Sequence, residues 1–297
     1  MSFALTRFQE KIIIDRPFAE SLANELRSSQ RFDGTILLVA NEILLDPSYN
    51  FNYNQEADVK FPGRYHVTLV ADRFDSRGGK IDLTGSQGRL GNTGKAGIDG
   101  KSGETGETAL LPRRGEPGEP GEPGGRGGRG GPGGPGGRGG NGQEGNNIKV
   151  FCSELINIHI ISGGGKGGTG GKGGTGGTGG RGRPGSHTIH GRGGPGGPGG
   201  PGGPGGPGGK IELLFCNAPN GFVATDHLIS NGGQGGDPGE GGEGGQKGGL
   251  GPGIFDGSHG NPGTEHGVPG IGSIPDVKQV EFSEFWERVS IELAIPA

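Results

Sequence analysis

Apolar positions fall in short blocks separated by long stretches that almost lack them. Near the N-terminus, Phe18, Leu22 and Leu26 recur at the spacing of one helix face. Asp15 suits the N-cap and Pro17 the first turn, so a short helix is predicted there. Past Gly34 the pattern changes to strands, with Thr35–Leu45 and Tyr65–Asp72 as dense β-formers. The strand blocks align with one another. Leu37–Ile43 matches Thr68–Phe74, Lys149–Leu155 matches both, and Leu213–Asn217 matches again. A second half-strand follows in Lys80–Gly85, Asn157–Gly163 and His227–Gly232, and each copy opens straight into a glycine tract. At the C-terminal end Val289, Ile291 and Leu293 alternate as in a strand, and Trp286 is placed to cap the stack or meet a partner.

Between the strand blocks, glycine recurs at every third position. One frame runs from Gly85 to Gly145, missing only at Ala109 and Pro112; a second runs from Gly164 to Gly209, missing only at Thr188; a third runs from Gly233 to Gly263, missing only at Ile254. Three is the period of a left-handed extended helix with no internal hydrogen bonds, so a strict triplet lines one face with glycine alone. Each tract therefore reads as two such helices joined by a tip. The outgoing limbs, about 85–106, 164–185 and 233–251, reach roughly 60–70 Å at ~3.1 Å per residue. The expected fold class is mainly β plus polyglycine II. Solenoid-like strand repeats carry three inserted hairpins (six helices), with a short N-terminal helix. Triplets are Gly-X-X at the two ends of the series and mostly Gly-Gly-X between, the order expected if interior helices touch more neighbours.

Segment boundaries follow. Residues 1–84 form an N-terminal helix and β base. The first, second and third glycine-triplet hairpins occupy 85–146, 164–209 and 233–272. Residues 147–163 and 210–232 are β repeats between them, and 273–297 is a C-terminal strand or docking segment.

Composition narrows the chemistry. Glycine accounts for 77 of 297 residues and only 27% are hydrophobic, so the core must come from the glycine-poor blocks. The net charge of −4 gives no general pull toward nucleic acid or anionic membrane. Gly-Gly-Arg-Gly-Gly-Arg-Gly-Gly at 124–131 lacks the interleaved aromatics of RNA-binding segments and follows Glu116, Glu119 and Glu122. No stretch approaches the ~18 apolar residues of a membrane span. The first residues lack the apolar run of a secretory signal, which points to a cytoplasmic or leaderless product. Gly94–Ser102 nearly spells a phosphate-binding loop, with spacing one residue too long and no helix to follow. His187, His190, His259 and His266 have no companion ligands at diagnostic spacing, so no metal and no cofactor is expected. Cys152 and Cys216 align with Ala40 and Ala71, a slot for a small inward side chain. No nucleophile–base set stands out, and the chain reads as a non-enzyme.

The tracts resemble the polyglycine II bundles of springtail glycine-rich antifreeze proteins and of phage tail-fibre tip adhesins, and they are similar to collagen-like repeats. The likeness spans 85–272. For the adhesins it implies that loops at the bundle tip choose the receptor. Those loops map to Leu110, Leu111, Arg113 and Arg114 in the first hairpin, His187, Ile189 and His190 in the second, and Ile254, Phe255 and Asp256 in the third. The expected function is structural or adhesive: a stiff bundle whose tips bind a protein or surface receptor. The alternatives are a self-associating intracellular scaffold, using face residues such as Lys166 and Lys172, and a homotrimeric collagen-like stalk. An ice-binding array of Thr169, Thr175 and Thr178 is interrupted by Lys166, Lys172, Arg181 and Arg183.

Overall fold

The structure, a computed structural model, describes residues 3–29, 33–49, 51–52, 64–98, 131–178, 194–221, 228–244, 246 and 255–293. The chain opens with strand β1 (Phe3–Ile14), followed by helix α1 (Arg16–Ser28). Long strands follow at β2 (Asp33–Leu45), β4 (Arg64–Asp75), β6 (Ile148–Asn157) and β8 (Ile211–Asn217). Each is trailed by a two-residue strand: β3 (Phe51–Asn52), β5 (Ile81–Asp82), β7 (Ile160–Ile161) and β9 (Leu228–Ile229). Strand β10 (Asp276–Gln279) and helix α2 (Phe282–Leu293) close the described chain.

The long strands form one parallel sheet in the order β1-β2-β4-β6-β8-β10, and the short ones a second in the order β3-β5-β7-β9. Parallel neighbours need a crossover between them. Here the first crossover runs through α1, and each later one through a short strand and, after β5, β7 and β9, through a glycine tract as well. Along the long strands the core-facing phase changes: Ile36, Leu38 and Ala40 are followed by Ile43 and Leu45, and β4 repeats this with Leu69 and Ala71 followed by Phe74. Both parts of each strand thus contribute to one core, which also takes Ala19, Leu22, Ala23 and Leu26 of α1. Each buried Leu or Ile there contributes about 1.5–3 kcal/mol. On the opposite face of the sheet, Phe285 and Val289 of α2 cover Leu37, Val70, Phe151 and Leu214. Burial on both faces explains why these strands read as near-continuous apolar runs.

Several expectations need correction. The regular structure of the described residues is a six-stranded parallel sheet, a small second sheet and two α-helices, and six polyglycine II helices are not what it shows. The glycine segments are neither α-helix nor β-strand; their hydrogen bonds run between segments. Apart from Phe255 and Asp256, the tip residues that would close the hairpins lie outside the described residues. The predicted helix is present as α1, but it does not open the chain: a strand precedes it, with Leu5, Ile12 and Ile14 buried although the run between them hides the alternation. Residues 282–293 are helical where a strand was expected. Phe285 and Val289, four apart, face the sheet, while Ile291 is 71% exposed. Their apparent alternation with Leu293 is an accident of spacing.

The cysteine alignment holds only in part. Ala40 lies opposite Ala71, and Ala71 opposite Cys152, but Cys152 lies opposite Phe215. Matching Phe-Cys to Phe-Cys put the fourth strand one residue out of register, and such a slip turns every side chain to the other face. Cys152 is in the main core, whereas Cys216 packs on the α2 side.

Candidate functional site

Six glycine segments leave and re-enter this platform among the described residues, at 85–98, 131–145, 163–178, 194–209, 231–244 and 257–272. They bond to one another in two rows. The first, third and fifth segments make one row: Gly91 N–H donates to Thr169 O, and Gly170 N–H to Asp237 O. The second, fourth and sixth make the other: Gly136 N–H donates to Pro198 O, and Gly199 N–H to Asn261 O. Within a row every donor points to the later segment. Between rows every donor points to the earlier one, as in Gly137 to Asn92, Gly171 to Gly137, Gly200 to Gly171, Gly239 to Gly200 and Gly263 to Gly239. Successive bonds step by three residues on both partners, in the same direction within a row and in opposite directions between rows, so the slab inherits its register from the glycine frame. The sixth segment skips one residue, with donors at Gly263 and then Gly267.

Triplet type follows bonding in five of the six segments; 231–244 has two glycines in most triplets yet donates only to 194–209. The segments 131–145, 163–178 and 194–209 have two glycines per triplet, and each donates to two neighbours. The outer segments 85–98 and 257–272 have mainly one and donate to one. In 163–178 and 194–209 both glycines of a triplet are forced by contact, whereas in 131–145 the glycines facing the first segment are held less tightly, a Cβ on Gly134 lying 3.2 Å from Lys95 N. A Cβ on Gly170 would come within 3.0 Å of the Gly200 carbonyl, and one on Gly171 within 3.0 Å of the Asn92 carbonyl. Real Cβ atoms essentially never approach that closely, so a side chain there must push backbones apart. The third residue of each triplet points out of the slab, and there side chains are free to vary.

Serines weld slab to platform. Ser162 Oγ donates to the Asn146 carbonyl and Ser230 Oγ to the Gly209 carbonyl. Ser273 Oγ also reaches Gly209 O at 2.6 Å and lies 2.7 Å from Ser230 Oγ. Each serine sits where a short strand or the last tract meets the glycine frame, so its hydroxyl satisfies a carbonyl that the sheet no longer pairs.

The two broad faces of the slab differ. On the first row, Lys166 Nζ contacts Asp237 at 2.8 Å and Lys172 Nζ contacts Glu243 at 3.2 Å. The hydrogen bond and charge of Lys166 hold the Asp237 carboxyl below the usual carboxylate range. On the second row the outward residues of the fourth segment are all proline: Pro195, Pro198, Pro201, Pro204 and Pro207. The platform carries its own ladder, in which Glu42 pairs with Lys11 and Arg73, and Arg73 with Glu154. Burial pushes the Cys152 thiol up, with the nearby Cys216 adding to it, which leaves it protonated and unreactive.

Of the tip residues named from sequence, Phe255 and Asp256 are described, and Phe255 is 63% exposed. Leu110, Leu111, Arg113, Arg114, His187, Ile189, His190 and Ile254 lie outside the described residues. The serine weld and the proline face escaped the sequence reading. The recurrence of Ser at the strand-to-tract junctions was the available signal for the first, and five successive Gly-Gly-Pro triplets for the second. No helix among the described residues is long and apolar enough to cross a membrane.

Comparison with known proteins places the chain in no family. No known family matches it, and no curated protein is similar to it. A solved structure, a springtail antifreeze protein from Granisotoma rainieri whose title describes a nine polyproline type II helical bundle, is 26% identical. The match covers 62% of this chain and 94% of that one, with a TM-score of 0.12. A TM-score that low supports no shared architecture, so the resemblance to glycine-repeat families drawn from the triplet frame is withdrawn.

Proposed function

We propose that the chain is a non-enzymatic structural protein, a β platform bearing a stiff glycine slab that presents its far end to a protein or surface partner. The observation that carries this reading is the slab itself. Its interior consists of backbone bonded to backbone, with Cβ positions blocked by neighbouring carbonyls. Such material builds no substrate pocket, but it makes a rigid spacer. Each ordered residue costs about 1–2 kcal/mol of backbone entropy, and each lateral bond returns ~0.5–1.5 kcal/mol. The two bonds donated per interior triplet return only part of that cost, and the sheet beneath supplies the common anchor that the slab needs to order. A scaffold that self-associates through Lys166 and Lys172 is less well supported, because both lysines are engaged within the chain. The trimeric alternative would need glycine N–H groups that already donate inside one polypeptide.

The test compares two variants of the full chain, with circular dichroism confirming the fold of each. One carries Leu110→Ser, Leu111→Ser, Ile189→Ser and Phe255→Ser; the other carries Lys166→Ser and Lys172→Ser. Both are immobilised and assayed for capture of the native binding partner. Loss of capture only in the first is the expected outcome. Undiminished capture by the first variant overturns the reading.

A further inference from the structure

The second row presents a face whose centre line is proline, rigid and uncharged. Lateral bonds set its cross-levels: Gly133 to Pro195 and Gly196 to Ser258, then Gly139 to Pro201 and Gly202 to Glu265, then Gly142 to Pro204 and Gly205 to Val268. Reading outward residues across the face, Pro132, Pro195 and Ser258 share one level, Arg138, Pro201 and Glu265 the middle one, and Asn141, Pro204 and Val268 the next. Arg138 and Glu265 are both exposed, and neither makes an ion pair among the described residues. They stand on opposite flanks of Pro201. Nearer the platform the same flank carries Val268, 65% exposed, and Ile271, 81% exposed.

We infer that a second copy of this chain stacks on the proline face, side by side and pointing the same way, with Arg138 of each copy paired to Glu265 of the other. The geometry follows from symmetry. A two-fold axis along the central proline line keeps every level opposite itself and exchanges the flanks, so the second segment of one copy meets the sixth of its mate. That brings Arg138 against Glu265 twice. A two-fold axis across the face would instead set Arg138 against Arg138 and Glu265 against Glu265, which charge repulsion disfavours. The area suffices. Five triplets of extended chain at up to ~3.3 Å per residue and three segments ~4.8 Å apart give at most roughly 700 Å² per copy, about 1,400 Å² in total, within the range of specific interfaces. Proline brings almost no side-chain entropy to be lost on contact. On the opposite face Lys166 and Lys172 are already paired across the row, with Asp237 and Glu243, which leaves neither lysine to meet a carboxylate of a second copy.

Sedimentation equilibrium of the full chain tests this. A dimer is expected, and a monomer across the accessible concentration range overturns the proposal. Arg138→Glu and Glu265→Arg should each weaken dimerisation by roughly 10²-fold, and the double variant should restore it. Both substitutions are on the surface, and circular dichroism verifies their fold. Failure of the double variant to recover, with all three folded, also overturns the pairing. Orientation is read separately. Pro204→Cys should give a disulfide-linked dimer on mild oxidation, because Pro204 faces itself across the axis. A link that forms only when Pro198→Cys is present together with Pro204→Cys indicates the opposed orientation and overturns the arrangement inferred here.

Discussion

Glycine in this chain serves two different physical needs. At Gly78, with φ of 84°, it permits the turn that follows β4. At Gly170 and Gly171 the conformation is unremarkable, and the absent Cβ is what allows two backbones to approach and bond. The second use predicts a sharp positional contrast. Gly171→Ala would drive a methyl into the Asn92 carbonyl, where no flexible side chain can give way. It should cost about 2–3 kcal/mol or more, as overpacking does. Gly163→Ala places its Cβ 3.5 Å from the nearest atoms, an ordinary contact, and should change stability by less than ~1 kcal/mol. Urea denaturation of the two variants checks the contrast; equal losses would mean that close approach is not what selects glycine.

At the scale of elements, local and tertiary rules share control. Helix α1 starts where Asp15 Oδ1 accepts from Phe18 N–H at 2.8 Å, with Pro17 in the first turn, as its sequence leads one to expect. Asp15→Ala should therefore cost about 1 kcal/mol in a denaturant titration, the usual worth of an N-cap. An unchanged midpoint would show that packing of Leu22 and Leu26 alone fixes the helix. Strand β1 and helix α2 behaved otherwise. In β1 the run Arg7–Lys11 interrupts the apolar pattern, yet pairing along β2 from Phe3 to Ile14 holds it extended. In α2 the alternation of Val289, Ile291 and Leu293 pointed to a strand, and the open sheet face over Phe151 and Leu214 selected a helix whose Phe285 and Val289 fill it. The register of β8 was decided in the same way, by pairing from Ile211 opposite Ile148, not by likeness of residue names.

For the whole molecule, protection should follow the number of bonded neighbours. Segments 163–178 and 194–209 exchange bonds with four others, and 85–98 and 257–272 with two. Amide hydrogen exchange should therefore be slowest in the two central segments and fastest in the two outer ones, with the strands β4 and β6 as slow as the slab's centre. Uniform exchange across all six would show that the segments open as one unit or do not bond as described.

The glycine frame fixed by itself where bare backbone occurs and at what period, because a three-residue repeat is a local property written in residue type. The strand repeats and the site of each excursion were legible for the same reason, since Ile81, Ile160 and Leu228 stand at like positions before each tract. What no local pattern held was the choice of neighbours. The parallel order of the long strands, the two rows of glycine segments, the direction of every N–H between them and the outward line of proline all depend on which segment lies beside which. That choice is made by the three-dimensional competition for hydrogen-bond partners and core space, and only the folded chain settles it.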